Sequence, residues 1–126
     1  MKKIAIITDI HGNYYGLEAC IKDIFDEGID EIYCLGDLFT GLPNTKNIFE
    51  IIQREKIQCI RGNNEGYLLK FYDKSLVDDM KTAVKFKSLQ FIAKQLSPEI
   101  FRYIVSLPKT LEVKSFSQKI ILCHGT

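Results

Sequence analysis

The chain has 126 residues, 46% of them hydrophobic and 26% charged, an ordinary balance for a soluble globular domain with one core. Its formal net charge is +1, which gives no electrostatic argument for a nucleic-acid polymer or an anionic membrane as partner. The apolar opening is broken at Asp9, too early for an export signal, and no apolar run approaches the roughly 20 residues of a spanning helix; the expectation is a cytoplasmic protein.

Residues 4–8 (IAIIT) read as a first buried strand, nearly continuous in apolar and β-branched residues. A helix follows, because Leu17, Cys20, Ile21, Ile24 and Phe25 recur at helical spacing. Asn13 is placed to cap its start and Gly28 to stop it. Residues 31–35 (EIYCL) form the second strand, the loop GLPN covers 41–44, and Ile48, Ile51 and Ile52 mark a second helix. Residues 58–61 (QCIR) form the third strand. This order predicts a parallel βαβαβ core with right-handed crossovers.

Residues 66–107 carry mixed charge at helical spacing (Met80 and Val84; Leu89, Ile92, Ala93 and Leu96), which reads as a helical insertion of two or three helices. Its last helix has Ser97 as a cap, Pro98 at the first turn and Pro108 beyond the end. Residues 110–122 look like a β-hairpin turning near 115–118, and 120–123 (IILC) read as a fourth buried strand. Cys20, Cys34, Cys59 and Cys123 form no C-x-x-C pair, and each sits in an apolar segment, so all four read as buried, reduced thiols.

The chemistry gathers at the strand ends. The four runs finish in TDIHG, LGDLF, RGNNE and CHGT. Ligands of open α/β sheets bind at the carboxyl ends of strands, so Asp9, His11, Asp37, Asn63 and His124 should converge, with Asn64 and Glu65 close by. Two carboxylates, two imidazoles and an amide oxygen suit borderline to hard divalent metals. The Asp-x-His spacing would put both side chains on one side of an extended segment. Each motif is weak alone, since Gly-Asp and Gly-Asn are common turn dipeptides. Their joint occurrence, in order, on four strand ends is the signal.

These motifs, DIH (9–11), GDLF (36–39), GNNE (62–65) and HG (124–125), resemble the calcineurin-like metallophosphoesterase superfamily along the whole chain, in particular its compact prokaryotic phosphodiesterase branch. The segment LPKTLEV (107–113) is also similar to that branch. The resemblance implies a layered α/β sandwich, of which this chain holds the first part, with residues 1–126 as a single domain incomplete at its C-terminus. It implies a dinuclear site for Mn²⁺, Ni²⁺, Fe²⁺ or Zn²⁺. Asp9 and His11 would hold one ion, Asn63 and His124 the other, and Asp37 would bridge them. The activity implied is hydrolysis of a small phosphate ester or nucleotide, most simply a diester, by attack of metal-bound water.

Two departures from the family pattern bear on activity. The pattern G-N-H becomes Gly62-Asn63-Asn64, and an amide cannot supply the proton that a histidine there would give the leaving oxygen. Asn64 is thus the candidate catalytic position, either orienting phosphate or water or doing nothing. The chain also stops at Thr126, before the family's G-H-x-H, which implies a weakly active or inactive piece whose exposed sheet edge near 120–123 could self-associate. An alternative role implied by the same resemblance is a protein-interaction scaffold, as in the retromer subunit of this fold. A nucleotide-binding domain of another class is disfavoured because neither G-x-G-x-x-G nor a P-loop occurs. Among the remaining residues, Arg61 reads as a salt-bridged strand-end residue rather than a phosphate contact. Tyr14 and Tyr15 read as partial packing, and Lys70, Lys74, Lys81, Lys85 and Lys87 as a solvated helical face.

Overall fold

The computed structural model describes residues 2–74, 83–115 and 117–125. Met80, Lys81 and Phe116 lie outside the described residues. Strands Ala5–Ile7 (β1), Ile32–Cys34 (β2) and Gln58–Cys59 (β3) form a parallel sheet in the order β1-β2-β3. Helices Tyr14–Asp26 (α1) and Thr45–Arg54 (α2) make the two crossovers. Helix Asn63–Tyr72 (α3), a 3₁₀ turn at Val84–Phe86, and helices Lys87–Gln95 (α4) and Pro98–Ser106 (α5) come next. Thr110–Ser115 (β4) and Gln118–Cys123 (β5) then pair antiparallel as a separate two-stranded sheet.

The punctuation residues act as the sequence predicts. The Asn13 side chain accepts from the Gly16 N–H at 3.0 Å and caps α1. Gly28 takes a φ of 72° just beyond its end. Ser97 accepts from the Ile100 N–H at 3.2 Å and caps α5, with Pro98 in the first turn. Each cap satisfies a donor that the helix cannot pair internally.

The sheet register sorts the strands into two unlike faces. Ala5 and Ile7 lie beside Ile32 and Cys34, and Cys59 beside Cys34. This face joins the main core with Leu17 and Ile21 of α1, Ile48 and Ile51 of α2, Leu68 of α3, Leu89 and Ile92 of α4, and Ile100 and Ile104 of α5. The helices between β3 and β4 thus share that core. On the other face Tyr33 pairs with Ile6 and Gln58 and packs under Val113 and Leu122 of the hairpin.

The expectation of strands covered on both faces therefore holds only for β2. Ile6 is 48% exposed and Ile121 is 61% exposed. Alternation is the cause: the hairpin turns Val113 and Leu122 inward and Ile121 outward, and it does not reach over Ile6. The cysteines divide the same way. Cys34 and Cys59 are buried, whereas Cys20 on α1 and Cys123 on β5 are exposed; all four are free thiols. Among the described residues no helix is long and apolar enough to cross a membrane.

Candidate metal centre

The site begins as a continuation of the parallel ladder. Beyond the last paired strand residues, Leu35 N–H donates to Ile7 O (2.9 Å), Asp9 N–H to Gly36 O (3.0 Å), His11 N–H to Asp37 O (2.9 Å) and Gly12 N–H to Leu38 O (2.9 Å). The two loops are zipped together, yet their backbone is not extended. Asp9, His11 and Asp37 have φ values of 57°, 47° and 56°, the left-handed region that non-glycine residues seldom adopt. The picture of an extended Asp-x-His is corrected here: the two side chains meet because alternate residues turn left-handed. Strain of this kind persists where surrounding bonds hold it, and it clusters at functional sites. Gly36 and Gly62 allow the third strand end to close in. A Cβ on Gly36 would sit 2.3 Å from the Gly62 nitrogen, and one on Gly62 would sit 2.1 Å from Asp37 Oδ1.

The structure brings all five predicted donors together around Asp37, which is itself only 3% exposed. On one side, His11 Nδ1–H donates to Thr40 O at 3.0 Å. A carbonyl only accepts, so this bond leaves the Nε2 lone pair of neutral His11 free. That Nε2 lies 3.2 Å from Asp9 Oδ1 and 3.7 Å from Asp37 Oδ2. On the other side, His124 Nδ1–H donates to Leu35 O at 2.7 Å. Its Nε2 lies 2.9 Å from Asn63 Oδ1 and again 3.7 Å from Asp37 Oδ2. Ligand atoms of Asp9, Asp37 and His124 all fall within 4.8 Å of one another.

This arrangement sets lone pairs against lone pairs, which repel unless a proton or a cation lies among them. Carboxylate, imidazole and amide oxygen together fit a divalent ion of borderline or hard character. The carbonyls behind each histidine set ring orientation and tautomer, as the partners of metal-ligating histidines do. The Thr8 hydroxyl donates to Asp9 Oδ2 at 2.6 Å and holds that carboxyl below its ordinary range. Asp9 is thereby kept ionised and ready to ligate.

Two neighbours complete the centre. Asn64 donates twice to Asp37, from its backbone N–H to Oδ1 (3.0 Å) and from its side chain to Oδ2 (2.7 Å). Glu65 is completely buried and was not among the predicted site residues. Its carboxylate accepts from Asp37 N–H (2.8 Å), Leu38 N–H (2.7 Å) and Gly62 N–H (2.9 Å). Burial pushes the Glu65 carboxyl up, and the three N–H donors oppose that shift. It ties the second and third strand ends together. A glutamate three residues after Gly62 at a helix start is a capping signal that could have flagged it.

Thr40 and Leu35, which aim the histidines through backbone carbonyls, leave no sequence signal. The residues placed at the rim sort differently. Arg61 makes no salt bridge among the described residues; its guanidinium donates to Val105 O (2.8 Å) and Ile104 O (3.4 Å) at the end of α5. Exposed helix-terminal carbonyls attract such a cation. Tyr14 packs on the core and donates to Glu18, and Tyr15 is exposed.

Fold and site together define a metal-type α/β phosphoesterase architecture, and comparison with known proteins agrees. The chain belongs to the calcineurin-like phosphoesterase family, whose family model matches residues 2–126. An uncharacterized protein of Methanocaldococcus jannaschii is 29% identical over 124 residues, covering 97% of this chain and 49% of its own length. A symmetrical bis(5′-nucleosyl)-tetraphosphatase of Baumannia cicadellinicola is 25% identical over 122 residues, covering 94% of this chain and 40% of its own. The crystal structure of a hypothetical protein from Pyrococcus horikoshii superposes with a TM-score of 0.76 at 24% identity, covering 96% of this chain and 54% of that one. The chain thus spans about half, or less, of the length of the curated relatives it matches.

Proposed function

We propose that this chain carries the dinuclear metal core of a phosphodiesterase that hydrolyses a small phosphate ester or nucleotide. The observation that carries the reading is the position of Asp37 Oδ2, 3.7 Å from the Nε2 of both His11 and His124. Asp9 and His11 would hold one ion, Asn63 and His124 the other, and Asp37 would serve both. Mn²⁺, Ni²⁺, Fe²⁺ and Zn²⁺ all suit these donors. Divalent ions bound there supply electrophilic pull on a phosphoryl oxygen and a source of nucleophilic hydroxide at neutral pH.

The remaining chemistry belongs to the chain. The Thr40 and Leu35 carbonyls accept from Nδ1–H and so turn Nε2 of each imidazole toward the donor set. Glu65 accepts from the Asp37, Leu38 and Gly62 N–H groups and so fixes the loop that carries Asp37, which would leave the shared carboxylate little to reorganise. Asn64 orients Asp37 and offers an amide N–H to a phosphoryl oxygen, but it cannot protonate a leaving oxygen. That favours substrates whose leaving group departs as a stable anion, such as an activated diester or a phosphoanhydride. The tetraphosphatase relative is named for a substrate of the second kind.

The test is hydrolysis of bis-p-nitrophenyl phosphate with added Mn²⁺ by the full-length protein, wild type against Asp37→Asn. Metal-dependent turnover in the wild type and its loss in the variant are expected. Equal, background rates in both would overturn the reading.

A further inference from the structure

A cleft of about 530 Å³ opens directly beside the Asn63 and His124 half of the donor set, which lines one of its walls. Its size falls in the range of small-molecule sites. Its charge is one-sided: Arg61, Lys70 and Lys109 line it, with no acidic side chain among the lining residues. The near-neutral chain therefore concentrates cations at one place, next to its metal donors.

The backbone explains how the cations arrive there. Arg61 N–H donates to Pro108 O at 2.7 Å, which sets Lys109 alongside the loop carrying Gly62 and Asn63. Asn63, Gly66 and Lys70 follow at helical spacing, so they share one face of α3. Seven residues of helix put Lys70 roughly 10 Å along the axis from Asn63, a span that a short polyphosphate bridges. The Arg61 guanidinium is already bonded to the α5 carbonyls. Lys70 lies 6.0 Å from the Tyr67 ring centre, and neither lysine has an ion pair among the described residues. At Gly66 an added Cβ would meet nothing within 4 Å, so the floor of the cleft is open because that residue has no side chain.

We propose that this cleft is a second anion subsite, in which Lys70 and Lys109 bind a further, non-reacting phosphate of the substrate. The preferred substrate class is then a nucleoside polyphosphate rather than an ester with a single phosphate. The assignment rests on the phosphoesterase reading above and adds the recognition of the distal group.

Two measurements test it. In the first, adenosine 5′-tetraphosphate is titrated calorimetrically, with chelator present, into the metal-free wild type, the double variant Lys70→Ala/Lys109→Ala, and Gly66→Leu. Binding by the wild type, weakened about tenfold or more in both variants, supports the subsite. No binding in the wild type, or equal affinity in all three proteins, overturns it. In the second, kcat/KM with Mn²⁺ is compared for P1,P4-diadenosine tetraphosphate and bis-p-nitrophenyl phosphate. The ratio of the two should fall about tenfold in both variants, chiefly through KM, and an unmoved ratio overturns the proposal. Failure of the hydrolase reading shows elsewhere, as equal rates of wild type and Asp37→Asn, and leaves the metal-free titration intact.

Discussion

The two halves of the donor set are built by opposite means. Asp9 and His11 sit on a loop zipped by successive backbone bonds to the neighbouring strand end that carries Asp37, and they stay open to solvent, with side chains 49% and 41% exposed. Asn63 and His124 are 61 residues apart and come from different layers, one opening α3 and the other following β5. His124 is 10% exposed, and its bond to the Leu35 carbonyl depends on the hairpin staying docked on Tyr33. The first half is thus rigid through its main chain and accessible. The second joins an enclosed histidine to an exposed asparagine, and it relies on a small apolar contact between two sheets. Local bonding fixes one half, and tertiary packing fixes the other.

The variant that breaks both halves together is Asp37→Asn, and it should have the largest effect. On the proposed reading Asp37 would serve both ions, and loss of a preorganised charge at a reacting centre costs about 10²–10³-fold in rate, read as bis-p-nitrophenyl phosphate hydrolysis. Next comes Glu65→Ala. It leaves three buried N–H groups without an acceptor, and each orphaned donor costs about 1–3 kcal/mol. A drop of about 3 kcal/mol or more in unfolding free energy is expected, measured by urea denaturation. Because Glu65 joins the Asp37 and Gly62 loops, Mn²⁺ affinity at both halves should weaken in that variant as well. Unchanged stability would show that the clamp contributes little.

The comparison also explains what the sequence could reveal. Strand ends, crossover helices and caps were readable because they depend on neighbours in the chain. The Asn13 and Ser97 caps and the parallel β1-β2-β3 order are of this kind. The five donors were readable as residue types at strand ends. Their geometry was not, since the left-handed turns at Asp9, His11 and Asp37 are imposed by the ladder of the neighbouring loop. Nor does an apolar run state which of its faces will be covered, so Ile6 and Ile121 read as buried. Arg61 read as an ion-pair partner because nothing local announces that the end of α5 arrives beside it. Contacts across many residues decided each of these, and no short window contains them.

Truncating the hairpin side separates the halves. Leu122 is buried against Tyr33 and Val113, so Leu122→Ala should cost about 2 kcal/mol, the low end for such truncations, since this cluster is small. Titration with Mn²⁺ should show the second half, Asn63 and His124, weakened more than the first. Equal weakening of both would mean that His124 does not depend on hairpin docking.

The smallest effect is a change with pH confined to the same interface. Burial pushes the Tyr33 hydroxyl up to about 12, and its hydrogen bond to Glu31 adds to the shift. The folded state therefore keeps its proton where the unfolded chain, with an ordinary tyrosine near 10, releases it. Between these values the native state binds more protons, so stability falls as pH rises. The contribution is whole below about pH 10 and fades toward pH 12. Tyr33→Phe removes the titrating group and should flatten that alkaline decline, seen as Tm against pH from 9 to 12. A decline of the same slope in the variant would place the sensitivity elsewhere. If Tyr33 is responsible, tyrosinate formation should be accompanied by loosening of the hairpin and loss of the His124 contact, while the Asp9 and His11 loop keeps its backbone bonds.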